Sequence, residues 1–405
     1  MKIKAFIFSL LAIVGVLSCI TDHPSPQVLN VSENTLRFSG RGGVWKLYVT
    51  SNSDWQVSGS TDWCNTDKIT GQNTDEILIT VDSNETKVPR STQLYLQGDR
   101  HQATISIQQD TATGEYHYEL PVVFHVLYSE SQDTSTKSIK PEQILKLVDK
   151  CNQKYSDHTN SIDMNLELVV ATEDPNGNPL QQAGLNFIKA NSINISCDNF
   201  MSETNKTYAE YLWNPNKYIN VFVYNFKESN VLGIAHLPYT PRENSLEGLE
   251  ENNHYFSNMP AYAHCISINR KYIHEEDAYI TLAHELGHYL GLYHVFSEKE
   301  CEGTDYCGDT PNYDRSKYEA SLKEMENPAT NPQALLRTSC DSEGQTFTSY
   351  NIMDYFYGYQ NQFTLDQYKR IRHVLENSPL IPGPKNISTT KSYTEDVIPE
   401  VRSIK

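Results

Sequence analysis

The sequence predicts two unlike domains in one chain: a small all-β sandwich, then a larger α/β domain organised around a single helix. Three observations predict this. Between Val28 and Gln109 the chain runs as short alternating segments broken by Gly, Asn, Asp and Ser. Beyond Glu119 the pattern changes to strand, amphipathic helix and strand in succession. The string "HELGHYLGLYH", from His284 to His294, then sets three histidines and a glutamate at helical and turn spacing.

The first residues, "MKIKAFIFSLLAIVGVLSC", carry two lysines and a short apolar run that ends in small residues. This reads as an export signal over residues 1–18, too short for a comfortable membrane span. "VLSC" resembles a bacterial lipobox, which implies that Cys19 is lipidated and anchors the mature chain to a membrane. The competing reading is a plain signal peptide that happens to contain a cysteine. Residues 19–27, with two prolines, would serve as a tether.

Over residues 28–110, "LRFSG", "VWKLYVTS", "WQVSG", "EILITVD", "TQLYLQG" and "ATISIQQ" alternate in character along each run, as half-buried strands do. The stretches "SNSDWQVSGSTDWC", "ITVDSNETKVPRSTQLYL" and "ISIQQD" resemble a BACON domain. That resemblance implies an immunoglobulin-like sandwich, and glycan or mucin contact through this domain. Trp45, Trp55 and Trp63 could stack on sugars, although aromatics of a small sandwich more often fill its core. Cys64 could act as a latency thiol on a metal, against the simpler reading of a packed core thiol.

Residues 111–117 read as a linker, and residues 118–382 as the α/β domain. "ELPVVFHVLYS" is its first strand, in which His125 is expected to be a core or cross-strand residue. "KPEQILKLVDKCNQKYSD" places Ile144, Val148, Cys151 and Tyr155 on one helical stripe. "NLELVVAT" and "YINVFVYNF" are strands rich in β-branched and aromatic residues. "LGIAHLP" is expected to border a cleft, with Gly233, Ile234, Ala235 and His236 as an edge to which an extended peptide could add as a strand. His274 to Asp277 would open the next helix, acidic residues suiting the positive end of its dipole.

On that helix His284 and His288 are four apart and leave the same face, so both can bind one zinc ion. Glu285 is turned away from this face, far enough to serve a metal-bound water rather than the metal. Gly291 tolerates a left-handed conformation, so the helix can end there and the chain can bring His294 back as a third ligand. Three protein ligands leave a fourth position open, which marks a catalytic rather than a structural site.

The register HExxHxxGxxH is the metzincin motif. "LAHELGHYLGLYHVF", "CGDTPN", "NIMDY" and "FTLDQYKRIRHVL" together resemble the pappalysin/cytophagalysin branch of those metallopeptidases, over roughly Tyr116 to Pro382. The resemblance implies an α/β metzincin metalloprotease domain with a zinc helix and a Met-turn, hydrolysing peptide bonds of protein substrates. It implies one catalytic Zn2+ on His284, His288 and His294, with Glu285 as general base. Met353 would form the Met-turn beneath the imidazoles, and Tyr355 would hydrogen-bond the oxyanion. Some relatives carry acidic residues just after Met–Asp–Tyr that favour basic side chains following the scissile bond. Phe356 to Gln362 read "FYGYQNQ" and hold no acid, so that preference does not carry over. A binding protein that uses the protease fold as scaffold is the alternative to an enzyme.

The formal net charge of −18 over 405 residues argues against a nucleic-acid partner. Glu298, Glu300, Glu302, Asp305, Asp309 and Asp314 lie in one loop that could hold Ca2+ and could equally be a solvated acidic loop. Past Cys19, seven cysteines remain, and an odd count leaves at least one free thiol. A disulfide is expected between Cys340 and either Cys301 or Cys307. The tail, residues 383–405, is polar and expected to be loose. Taken together, the chain reads as an exported, membrane-anchored lipoprotein.

Overall fold

The computed structural model describes residues 28–112, 115–130, 139–252, 260–342, 344–355, 357–385 and 401–403, the last three as backbone. Residues 1–27, on which the export-signal, Cys19 and tether expectations fall, lie outside the described residues. Among the described residues, no helix is long and apolar enough to cross a membrane.

The N-terminal part is all-β. One sheet has the order β1 (Leu29–Val31), β3 (Gly43–Ser51), β7 (Asp75–Val81), β5 (Cys64–Thr66). The other has the order β2 (Thr35–Phe38), β9 (Gln102–Gln109), β8 (Arg90–Gln97), β4 (Asp54–Ser58), β6 (Thr70–Gln72). Alternation explains why the sheets stack: Leu47 and Val49 of β3 and Ile77 and Ile79 of β7 face Leu94 and Leu96 of β8 and Ile105 and Ile107 of β9 in one core. Trp55 and Cys64 lie in that core, and burial pushes the Cys64 thiol up to about 11. Trp45 and Trp63 pack against its margin, and the Arg90 guanidinium lies 4.3 Å over the Trp63 ring. The tryptophans therefore serve packing here, and Cys64 is held in the sandwich core rather than at the histidines.

The sandwich is fastened to the second domain by backbone as well as charge. Val44 N–H donates to the His158 carbonyl (2.7 Å) and Asn160 N–H to the Val44 carbonyl (2.8 Å). Arg41 pairs with Asp163 at 3.0 Å and Lys369 with Asp110 at 3.3 Å.

The second domain is built on a mixed sheet in the order β11 (Leu166–Val170), β10 (Tyr118–Tyr128), β14 (Ile219–Phe226), β16 (Ile266–Asn269), β15 (Gly233–His236), β19 (Val401–Ser403). β12 (Leu185–Lys189) extends along β10, and β13 (Asn194–Ile195) along β14. β10, β11, β14 and β16 run parallel, and β15 runs antiparallel to β16. β14 is buried on both faces, which is why it reads as a nearly continuous apolar run. Helices α1 (Pro141–Ser156) and α3 (Ala278–Tyr289) cover one face; Ile144, Val148, Cys151 and Tyr155 of α1 point inward as the stripe predicts. The other face carries α2 (Cys197–Phe200) and an aromatic cluster in which Phe200 stacks on Tyr224 at 4.5 Å.

After α3 the chain has little regular structure: α4 (Arg315–Glu324), the hairpin β17 (Leu336–Thr338) and β18 (Thr346–Thr348), and α5 (Leu365–Asn377). α5 begins in a capping box between Thr364 and Gln367. The disulfide joins Cys301 to Cys340 and leaves Cys307 as a buried thiol.

Two expectations need correction. The histidine helix begins at Ala278, because residues 270–277 are spent in turns and Asp277 stands at its N-cap. The tail is not uniformly loose: Val401–Ser403 add to β15 as β19, because a strand edge offers unpaired backbone groups that another strand can satisfy.

Candidate metal centre

α3 is almost wholly buried, so its sequence answers to packing at every turn. Tyr155 of α1 donates to the Ala283 carbonyl at 2.9 Å and holds one flank. Met353 lies beneath Gly287, where a Cβ would come within 2.4 Å of its sulfur, so any side chain there would push the Met353 thioether aside. The helix ends as the motif requires. Gly291 has φ +93°, and Leu292 N–H donates back to the Gly287 carbonyl at 2.9 Å. A side chain at Gly291 would also strike Val374 of α5.

This turn brings His294 to the other two histidines. One ring nitrogen from each of His284, His288 and His294 falls within a common 4.8 Å, in the one such group of metal-type side chains among the described residues. His284 Nδ1 lies 2.8 Å from the Ile352 carbonyl, and His288 Nδ1 lies 2.8 Å from the Leu292 carbonyl. A carbonyl only accepts, so both Nδ1 atoms carry the proton and both Nε2 atoms present lone pairs. Those Nε2 atoms stand 3.1 Å apart, and His288 Nε2 is 2.9 Å from His294 Nε2. Lone pairs turned on one another at this distance repel unless a cation lies between them. Three nitrogens on a tetrahedral ion at about 2.0–2.1 Å would be separated by roughly 3.3 Å. The donor set fits a metal, and burial also pushes His284 down to about 4, which keeps its ring neutral.

Glu285 fits the same account. It is fully buried, neither carboxylate oxygen has a hydrogen-bond partner, and burial raises its pKa well above the ordinary value. A buried carboxylate without partners is costly in an otherwise satisfied core. A dication on the adjacent histidines, with a water, would supply both the opposing charge and a donor.

The floor and wall of the site come from the segment after Asn351. The Tyr355 ring stacks on His284 (5.6 Å, 28°) and meets His294 edge-on at 4.5 Å. Phe296 stacks on His294 at 4.7 Å and also meets the Tyr355 ring at 4.9 Å. Asp354 is buried and held on both oxygens, by the Tyr313 hydroxyl at 2.5 Å and by Arg337 at 3.2 Å. Arg337 also donates to the carbonyls of Tyr355 and Tyr357, so it ties the whole turn together. Nothing in the spacing of "LRTSC" singles out Arg337, and Phe296 was equally inconspicuous. Phe356 lies outside the described residues.

Other expected residues fall elsewhere. His236 does not line a cleft: it is fully buried, with Nε2 2.9 Å from the Met201 carbonyl and Nδ1 accepting from Cys265 N–H at 3.2 Å. Gly233 of β15 lies against Glu285, where an added Cβ would come 2.7 Å from its Cγ. His125 is a core residue, its ring nitrogens 2.9 Å from Asn220 and 2.9 Å from Asn186. His274 is exposed on the surface beside Gln143. The acidic loop uses its carboxylates on the chain itself: Asp314 caps α4, Asp305 accepts from Cys307 N–H and Thr310, and Glu298 pairs with Arg315.

Comparison with known proteins agrees with this geometry. Residues 202–376 match the family model described as pregnancy-associated plasma protein-A peptidase, and residues 53–110 match the BACON model, an N-terminal domain described as a binding domain. Ninety-three residues are 39% identical to an extracellular metalloprotease of Arthroderma otae, covering 22% of this chain and 29% of that protein. An extracellular metalloprotease of Arthroderma benhamiae is 40% identical over the same share of each. The chain thus spans under a third of the length of these curated relatives. A Bacteroides ovatus GH5 xyloglucanase in complex with a XXXG heptasaccharide aligns with 14% identity over 50% of this chain and 38% of its own, at a TM-score of 0.22 too low to carry an argument. The histidine helix, the Met353 turn and nearly all of α5 lie inside the first match, so residues 202–376 are similar to the peptidase family described as pregnancy-associated plasma protein-A, and residues 53–110 ahead of them are similar to the BACON domain.

Proposed function

We propose that the protein is an exported, lipid-anchored zinc endopeptidase that hydrolyses peptide bonds of protein substrates. The observation that carries this reading is the convergence of three imidazole nitrogens beside a buried carboxylate without partners. His284, His288 and His294 would hold the ion. Zinc in such a site supplies Lewis-acid polarisation of the scissile carbonyl and a water of lowered pKa. Glu285 would take a proton from the attacking water and return it to the leaving amine. Tyr355 offers its hydroxyl to the oxyanion, and Arg337 with Asp354 keeps the turn that carries it in place. Export agrees with the extracellular designation of the relatives, and the anchor rests on the sequence around Cys19.

The wall after Met353 supports a preference for apolar or uncharged side chains following the scissile bond. Tyr357, Tyr359, Gln360, Asn361 and Gln362 bring aromatic and amide groups, and Asp354 is committed to Arg337 and Tyr313. A buried cation without a carboxylate partner would cost more than apolar burial returns, at about 25 cal/mol per Å². A peptide-library digest tests this; dominant cleavage before Arg or Lys would overturn it.

The alternative, a glycan-binding scaffold, is less favoured, because Trp55 is in the sandwich core and Trp63 is covered by Arg90. The deciding experiment is hydrolysis of unfolded casein by the full chain. Activity abolished by a chelator and restored by stoichiometric zinc supports the proposal. A zinc-loaded protein that cuts neither casein nor any library peptide refutes it.

A further inference from the structure

β15 passes close to Glu285: a Cβ on Gly233 would come within 2.7 Å of its Cγ and 2.8 Å of Oε1. On one side β15 is paired to β16, with Gly233 opposite Ile268 and Ala235 opposite Ile266. Its other side is where an incoming extended backbone could pair while its carbonyls run beside the metal centre. That side is taken. β19 lies antiparallel along it in the register Ile234–Ser403, Ala235–Arg402 and His236–Val401.

We infer that the chain's own C-terminal strand, Val401–Ser403, occupies the peptide-binding edge of the cleft and competes there with extended substrates. The inference rests on the peptidase reading above for what the edge serves. Three observations support it: the strand pairs over all three of its residues, it runs antiparallel to β15, and the residues it covers, Ile234 to His236, directly follow Gly233, which lies against Glu285. A three-residue strand contributes little affinity by itself. Covalent attachment compensates, because a short connection raises the local concentration of the competing segment to the order of millimolar. A substrate must therefore displace the tail, or the tail must be cut away, before a peptide can lie along β15. The contact would act on substrate binding and leave the chemistry of a bound peptide untouched.

The test uses the full chain with Val401→Pro and Arg402→Pro combined. One of two successive residues in an antiparallel strand directs its N–H to the partner, so the pair removes that hydrogen bond whichever residue supplies it. The backbone amide of Ala235 should exchange at least tenfold faster in the variant, since N–H groups alternate sides along a strand and the neighbouring His236 N–H is spent on the Cys265 carbonyl on the β16 side, and a synthetic peptide copying residues 397–405, VIPEVRSIK, should slow it again at millimolar concentration. The KM for unfolded casein should fall severalfold with kcat unchanged, and truncation after Lys385 should reproduce both effects. Unchanged exchange at β15 would overturn the inference, as would faster exchange with an unaltered KM. Exchange needs no hydrolysis, so the two readings fail separately. If casein is cut by neither form while VIPEVRSIK still protects β15 in the variant, the peptidase reading fails and the competition for the edge stands.

Discussion

Two regions of this molecule bury histidines, and they treat them differently. Beneath and beside the sheet, His125 and His236 have both ring nitrogens engaged by protein groups: Asn220 and Asn186 for the first, Met201 and Cys265 for the second. In the turn-and-helix region, His284 and His288 each spend only Nδ1 on a carbonyl and turn Nε2 toward the same point. Burial is the same in both regions, and in both it disfavours the charged ring, holding His125, His236 and His284 near 4. A buried histidine whose two nitrogens are satisfied is structural. A group of them whose outward nitrogens converge needs a cation, and the distinction lies in partners rather than in exposure.

The largest effect should come from removing a converging nitrogen. His288→Ala should lose stoichiometric metal and all hydrolysis, whereas His236→Gln should keep its metal. Metal content after gel filtration measures both, and a metal-replete His288→Ala protein would break the comparison. Next, Glu285→Ala should retain the metal and lose about 10²–10⁴-fold in kcat, because a base is removed and no ligand is. Loss of the metal in that variant would make Glu285 a ligand and remove it from the role assigned above.

Arg337→Met sharpens the comparison from the supporting side. It leaves Asp354 buried without its charge partner, which typically costs about 3–5 kcal/mol. Denaturant unfolding should show this loss, and the metal should leave faster because the turn under the imidazoles loosens. Stability within error of the parent would mean that Tyr313 alone holds Asp354.

The smallest effect concerns the structural histidines. His125 has a folded pKa of about 4 against an ordinary 6.5, so the unfolded chain binds the proton more readily. Stability from this group is complete above pH 6.5 and is lost as pH falls towards 4. His125→Phe should cost about 1–3 kcal/mol at pH 8, since Asn220 and Asn186 lose a buried partner. It should also flatten the stability–pH curve between 6.5 and 4, with metal content unchanged. An identical acid slope in parent and variant would show that His125 does not titrate as its burial requires.

The short range of the relevant interactions explains what was legible beforehand. HExxHxxGxxH encodes its geometry locally: a helical turn sets His284 against His288, and Gly291 at φ +93° turns the chain within three residues. The alternating strands of the first domain and the inward stripe of α1 are equally local patterns, and each is present in the structure. The cysteine pairing was narrowed to Cys340 with one of two partners, and only the folded loops selected Cys301.

By itself, the sequence determined which residues could bind a metal, where the helix that carries them ends, and the alternation that makes one domain a two-sheet stack. Tertiary structure alone decided that Arg337, 17 residues before Asp354, would hold the Met353 turn. It decided that Phe296 would stack on His294, that Val44 would pair with the His158–Asn160 backbone, and that Val401–Ser403 would lie along β15. The physical reason is the same in each case. Periodicity and turn chemistry act between residues a few positions apart, while a buried ion pair, a ring stack or an added strand depends on which surfaces meet once the chain has closed on itself.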